Sequence, residues 1–226
     1  MPLMDSALEL DSAQKPVSDA LLKWWTTHQR SYPWRKTKDP YRILIAETLL
    51  HRTRADQVYR VYSDFMRRYP TVVDLASAKP RKVLEVLRPL GLRWRTRKML
   101  AMAKVIHSQF HDEIPRNLEQ LRSLPGVSDY IAAAVQCFAF GVPTPILDTN
   151  TVRVTGRISG TPVSDSARRK AEFRILYSSL QDASRARDFN LAMLDLAALL
   201  CKPSHPECHL CPLLAYCEYG RSREDA

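Results

Sequence analysis

The sequence predicts an all-α chain, on three observations. Apolar residues recur at helical spacing over most of its length. Alternating apolar and polar stretches of the kind that make strands are scarce. Fifteen prolines against six glycines in 226 residues fit many short helices with firm stops, and they argue against a Gly-rich phosphate loop or a long sheet.

The elements follow in order. Residues 17–28 put Val17, Ala20, Leu21, Trp24 and Trp25 behind a Ser18 or Asp19 cap. Ser31-Tyr-Pro-Trp-Arg breaks that helix, and Pro40 opens another expected to run through Thr53. Residues 55–69 are amphipathic and stop at Pro70. Further helices are read at 71–78, 80–88, 95–110 and 118–123. The last are at 131–140, 150–159, 164–180 and 189–200. Residues 1–14 hold Asp5, Glu9 and Asp11 without a basic stretch, so no signal peptide is expected, only a frayed start. The longest apolar runs, 131–141 and 191–201, are about half of a membrane span, so no membrane partner is expected and the protein is read as soluble and intracellular.

The net charge of +10 makes an anionic polymer or surface a reasonable partner. It is unevenly spread. Between Arg81 and Lys104 eight Lys/Arg residues face a single acid, Glu85. The densest part is Arg93-Trp-Arg-Thr-Arg-Lys, where Arg93, Arg95, Arg97 and Lys98 are candidates for phosphate contact. A solvated helix start accounts for the same charges.

Four cysteines close the chain: Cys201, Cys208, Cys211 and Cys217, separated by six, two and five residues. In a chain read as intracellular, such a cadence points to metal rather than disulfides. A zinc ribbon usually has two C-x2-C knuckles, and here only Cys208–Cys211 makes one. A cubane [4Fe–4S] cluster with one thiolate per iron fits better, with zinc or free thiols as alternatives. Cys137, within an Ala-rich apolar run, is read as a small buried hydrophobe.

Two further segments carry chemistry. Leu124-Pro-Gly-Val-Ser-Asp-Tyr joins two short helices through a tight turn, whose backbone N–H groups beside a helix N-terminus can bind phosphate. Some 20 residues on, Pro145-Ile-Leu-Asp-Thr-Asn places Asp148 just before a helix, where a short acid also serves as an N-cap. Asp195 is the other acid in an apolar setting and is read as a paired structural residue.

Helix, Leu-Pro-Gly-Val hairpin, helix, Leu-Asp-x-Asn and then Cys-x6-Cys-x2-Cys-x5-Cys together resemble the helix-hairpin-helix (HhH-GPD) DNA glycosylase superfamily. More narrowly, the chain is similar to the iron–sulfur branch holding endonuclease III, the MutY adenine glycosylases and the thymine/uracil mismatch glycosylases. The likeness runs from about Tyr32 to Cys217.

The resemblance implies two helical domains flanking a DNA-binding cleft. A six-helix barrel with the hairpin would occupy 31–147. Residues 1–30 and 148–226 would form a discontinuous domain closed by a structural [4Fe–4S] loop at 201–217. Double-stranded DNA with a mismatched or damaged base would be the partner of a monomer in the cytoplasm or nucleoid. Gly126 and Ser128 of the hairpin would grip its backbone, and the target base would be flipped out of the stack. Ser128 stands where the motif usually has a second glycine, and a left-handed backbone there would cost it about 1 kcal/mol or more.

The same resemblance assigns the chemistry. Asp148 would stabilise the oxocarbenium-like sugar while water attacks C1′. Lyase members carry a Schiff-base lysine at the position of Tyr130, and a tyrosine cannot play that part, so a monofunctional enzyme is implied. Glu47 matches the acid that protonates the leaving purine in adenine glycosylases, though thymine enzymes carry an acid there too. His51-Arg52-Thr53 replaces the Gln-Gln-Thr of adenine enzymes and is close to the Arg-Arg-Thr of thymine enzymes. Arg52 would then read the orphaned partner of the flipped base, as arginine reads guanine edges. Leu92 matches the family's wedge, and Arg187-Asp-Phe-Asn-Leu also looks like the thymine enzymes. The sequence runs only nine residues past Cys217, which predicts no appended domain for oxidised guanine. Thymine or uracil opposite guanine is therefore the expected target. Adenine opposite oxidised guanine or guanine is the alternative, and a non-catalytic iron–sulfur DNA-binding module is the non-enzymatic rival.

Overall fold

The computed structural model describes residues 5–91 and 93–224, with side chains from residue 15 to residue 223. Among the described residues there are helices and short 3-10 turns and no strand. The α-helices are α1 Asp5–His28, α2 Pro40–Leu50, α3 Ala55–Arg68, α4 Val72–Ala76, α5 Pro80–Leu87 and α6 Arg93–Phe110. They continue with α7 Leu118–Ser123, α8 Asp129–Phe140, α9 Thr149–Ser159, α10 Ala171–Leu180, α11 Ala186–Leu199 and α12 Glu218–Glu224. The chain divides into two compact units, Ser31–Val142 and Met1–Arg30 with Pro143–Ala226.

In the first unit α2 is the centre. Its residues from Ile43 to Leu49 are all buried, and a helix apolar on every side must be covered on every side. α3, α6 and α8 pack on it, and the small Ala132, Ala133 and Ala134 let α8 lie close. Local chemistry sets the starts. Pro40 and Pro80 sit at the first helical positions, where a missing N–H costs nothing. Asp39 accepts the Arg42 N–H at 3.0 Å, and Thr71 with Asp74 forms a capping box. Two buried phenols tie elements together: Tyr41 donates to Tyr69 O at 2.9 Å and Tyr62 to Arg42 O at 3.2 Å.

In the second unit α1, α9, α10 and α11 enclose Leu21, Val154, Phe173, Tyr177, Phe189 and Leu196. Burying each such side chain contributes about 1.5–3 kcal/mol. Several buried polar groups there are paired, whereas the Ser18 hydroxyl on α1 is buried with no hydrogen-bond partner among the described residues. Asn190 Oδ1 accepts from Tyr177 Oη (2.7 Å) and Ile146 N (3.2 Å), and its amide donates to Ala186 O (2.8 Å). Asp195 is fully buried and ion-paired with Arg30 at 2.5 Å, and it also accepts the Trp25 indole N–H at 2.9 Å. It is the paired structural acid read from the sequence.

Several boundaries differ from expectation, these three among them. α1 begins at Asp5, within the segment expected to fray. The helix expected over 164–180 is broken: a 3-10 turn at Ala167–Arg169 and an extended Lys170 (ψ 137) precede α10. α2 stops at Leu50 rather than Thr53, because Arg52 adopts φ +59.

Candidate functional site

The hairpin turn is built from Leu124 to Ser128. Leu124 is buried and anchors the turn, and the Val127 N–H donates to Leu124 O at 3.1 Å. Gly126 has φ +87, and a Cβ added to it would lie 2.9 Å from Lys98 Cβ on α6. Both facts require glycine. Ser128 needs no left-handed backbone after all: at φ −89, ψ 168 it is the N-cap of α8, its Oγ accepting the Ile131 N–H at 3.3 Å. The turn thus ends on the positive end of a 12-residue helix. Tyr130, half-buried, lies in the first turn of α8.

The expected phosphate-contact set splits on α6. Arg93, Arg97 and Lys98 are exposed, and so is Trp94 at 42%. Arg95 is a correction: it is 2% exposed and turned inward. Its guanidinium donates to Leu49 O at 2.6 Å, to Thr53 Oγ1 at 2.9 Å and to His51 O. Those carbonyls belong to the C-terminal end of α2, where a cation meets the negative end of the helix. The spacing that reveals this is Arg95, Met99, Met102, Ile106, one buried stripe of α6.

Arg95 therefore holds the turn that follows α2. Within it the His51 N–H donates to Glu47 O at 3.2 Å and the Thr53 N–H to Leu50 O at 3.0 Å. Arg52 sits between them, exposed, in a left-handed conformation that costs a non-glycine residue about 1 kcal/mol or more. The half-buried His51 ring meets Trp94 edge-on, with centroids 6.0 Å apart. Glu47, one turn earlier, is 4% exposed. The first half of α6 thus borders both the Arg52 turn and the hairpin turn. Leu92 lies outside the described residues.

In the second unit Asp148 is the N-cap of α9. Its Oδ1 accepts the N–H groups of Asn150 (2.8 Å) and Thr151 (2.7 Å), and its own N–H donates to Thr151 Oγ1 at 2.9 Å. The hydroxyl of buried Thr151 in turn donates to Ile146 O at 2.8 Å. The carboxylate is thereby fixed in position while remaining partly exposed. A chain of polar contacts leads away from it. Asn150 Nδ2 donates to Asp148 Oδ2 (3.1 Å), Arg153 Nη1 to Asn150 Oδ1 (3.0 Å), and Arg153 Nε to Cys201 O (3.0 Å).

That chain ends at the cysteine loop. Cys201, Cys208, Cys211 and Cys217 line one small cavity that opens to solvent. Arg157 Nη1 donates to Cys201 Sγ at 3.3 Å and the Gly220 N–H to Cys217 Sγ at 3.4 Å. A Cβ on Gly220 would stand 2.8 Å from Leu214 Cδ1 and 3.6 Å from Cys217 Sγ. Burial raises the Cys217 thiol and pushes Cys211 up to about 11, so a bound cation is what would hold them as thiolates at neutral pH. Among the described residues no three His, Cys, Asp or Glu side chains are grouped to hold a single metal ion. No helix among them is long and apolar enough to cross a membrane.

The chain is similar to known proteins. The family model of the HhH-GPD superfamily of base excision DNA repair proteins matches residues 45–176, a span holding the Arg52 turn, the hairpin and Asp148. A thymine-DNA glycosylase of Aeropyrum pernix is 40% identical over 206 residues, which are 88% of this chain and 92% of that one. An adenine DNA glycosylase of Mycolicibacterium smegmatis is 32% identical over 201 residues, 88% of this chain and 68% of that one. The solved structure of a thermostable thymine-DNA glycosylase superposes with a TM-score of 0.86 at 32% identity, covering 93% of this chain and 98% of that one. With the family model spanning more than half the sequence and relatives matching nearly all of it, the chain belongs to the HhH-GPD superfamily of base excision DNA repair proteins, as a DNA N-glycosylase.

Proposed function

We propose that this glycosylase removes thymine or uracil mispaired with guanine from double-stranded DNA, by hydrolysis and with little or no strand cleavage. The observation that carries the base choice is Arg52: exposed, and held at φ +59 in a turn between half-buried His51 and Thr53. An arginine so presented suits the O6 and N7 acceptors of guanine, which a bidentate contact reads with about 1–3 kcal/mol of discrimination. The higher identity to a relative named as a thymine glycosylase supports the same choice.

Asp148 carries the chemistry in this reading. Cleaving the N-glycosidic bond leaves positive charge on the sugar, and a carboxylate fixed by two backbone N–H groups stabilises it without reorganising. Tyr130 has no amine, so no Schiff base forms at its position. Exposed Arg93, Arg97 and Lys98, with the turn at Gly126 and Ser128, hold phosphate, and exposed Trp94 offers a stacking face for a base.

The four cysteines hold a [4Fe–4S] cluster. The support is a cavity ringed by all four, a single C-x2-C knuckle, and Gly220, whose N–H donates to Cys217 Sγ and where a side chain would crowd Leu214. Bound there, the cluster supplies a cross-link that folds residues 201–217.

A second reading, adenine release opposite oxidised guanine or guanine, is favoured by one feature. Glu47 is buried on α2 one turn before His51, a setting that suits an acid protonating a purine. One panel of duplexes decides: G·T, G·U, A opposite oxidised guanine, and A·G, each assayed for base release under single-turnover conditions. Fastest release from G·T and G·U is expected. Fastest release of adenine overturns the choice of base in favour of the second reading.

A further inference from the structure

Arg95 is an unusual buried cation. It lies within the basic run of α6, yet its charge reaches no solvent and its guanidinium is spent on protein atoms at three points between residues 49 and 53. As a device for stability it is incomplete. Its Nε is buried with no acceptor among the described residues, and burial lowers its affinity for its own proton. What it does fully is hold the residues on both sides of Arg52. Leu49 and His51 are held by their carbonyls before that residue, and Thr53 by its hydroxyl after it.

Arg52 needs such a brace. A left-handed non-glycine residue persists only where its surroundings over-determine it. Without the brace the turn would relax toward the ordinary helical or extended regions, and the Arg52 side chain would leave in another direction. The neighbouring residue Trp94 meets the His51 ring at 6.0 Å, so the side of the turn that faces α6 is packed as well as hydrogen-bonded.

We propose that Arg95 is a positioning residue for opposite-base recognition: it locks the His51–Arg52–Thr53 turn so that Arg52 is presented to the base left behind by the flipped nucleotide. This rests on the reading of Arg52 as the residue that contacts that base. A fork of donors is what the task requires. A lysine keeps the charge at the end of α2 but is a single point that cannot bridge the three acceptors at once.

The test compares the wild-type protein with Arg95→Met, Arg95→Lys, Arg52→Ala and Arg52→Ala/Arg95→Met. Single-turnover base release is measured with the excised base set opposite guanine and, separately, opposite adenine, and the readout is the ratio of the two rates. Circular dichroism and thermal melting check folding. Arg95→Met is expected to lower the ratio about tenfold, within the range of an arginine–guanine contact. Arg52→Ala should do the same, and the double variant should lose no more than either single one. Arg95→Lys, the variant that decides if Arg95→Met fails to fold, should lower the ratio as well. A fall in melting temperature or in both rates together, with the ratio kept, would make Arg95 a helix cap and overturn the inference. If the wild-type protein releases adenine instead, the choice of base fails, and the same ratio measured on adenine duplexes still decides the role of Arg95.

Discussion

Gly126 shows how one atom decides a turn. Its φ of +87 and the 2.9 Å approach of Lys98 Cβ leave no room for a side chain. Gly126→Ala should therefore cost at least about 1 kcal/mol and weaken duplex binding, read by thermal melting and by titration. Unchanged melting and affinity would show that the hairpin relaxes freely. Tyr130 makes a different prediction: borohydride added during turnover should trap no covalent adduct, and strand breakage should await alkali. A trapped adduct would mean that some amine acts as nucleophile. The sequence disclosed these two residues through their neighbours, Leu124-Pro-Gly-Val on one side and an Ala-rich helix on the other. Arg95 was hidden among four cations in six residues, because a charge count does not say which way a side chain points. Its helical spacing with Met99 and Met102 did carry that information.

Helix starts were legible wherever a residue with a local reason stood at them: Pro40, Pro80, Thr71, Asn117, Asp148. Two ends were not. Nothing in the residue type of Arg52 announces a left-handed backbone, since tertiary contacts from α6 impose it. Likewise the polar run before α10 contains no breaker, and the extended Lys170 escapes a reading based on periodicity. α12 was missed too, being a short, charged helix whose seat beside the cysteines depends on Gly220. If the loop before it holds a [4Fe–4S] cluster, purified protein should contain about four irons per chain. Cys208→Ser should lower iron content and melting temperature together. One zinc and no iron would contradict the cluster. The phenols on α2 and α3 give a pH test. Burial raises Tyr41 and pushes Tyr62 up to about 12, from an ordinary value near 10. The unfolded chain ionises first, so stability should hold below pH ~10 and fall as pH rises through about 12. Tyr62→Phe should flatten the fall between those values, and an unchanged profile would assign it to other groups.

Across the chain, two distant segments are joined by charge. Arg30, at the end of the N-terminal segment, pairs with fully buried Asp195 on α11. Arg30→Met leaves a buried carboxylate short of its cation and should cost roughly 3 kcal/mol in chemical unfolding. A loss well under 1 kcal/mol would mean that Trp25 and the backbone suffice. The net charge of +10 is the other molecule-wide property. Duplex affinity should fall linearly on a log–log plot against salt, and Lys98→Gln should reduce the slope by about one. The four cysteines, the hairpin and Asp148 made the family legible from the sequence, because each is a short-range pattern with its own chemistry. The chain of contacts from Asp148 through Asn150 and Arg153 to Cys201 was not, since it spans 53 positions and exists only once α9 and α11 are packed. The proposed reaction turns on Asp148 itself. The most direct measurement is Asp148→Asn assayed on one G·T duplex for both binding and single-turnover base release. The amide keeps the size of the cap but loses the charge. Duplex affinity should stay within a few-fold of wild type while release slows by about 10²–10³ or more. Release at the wild-type rate with binding intact would show that another group stabilises the sugar.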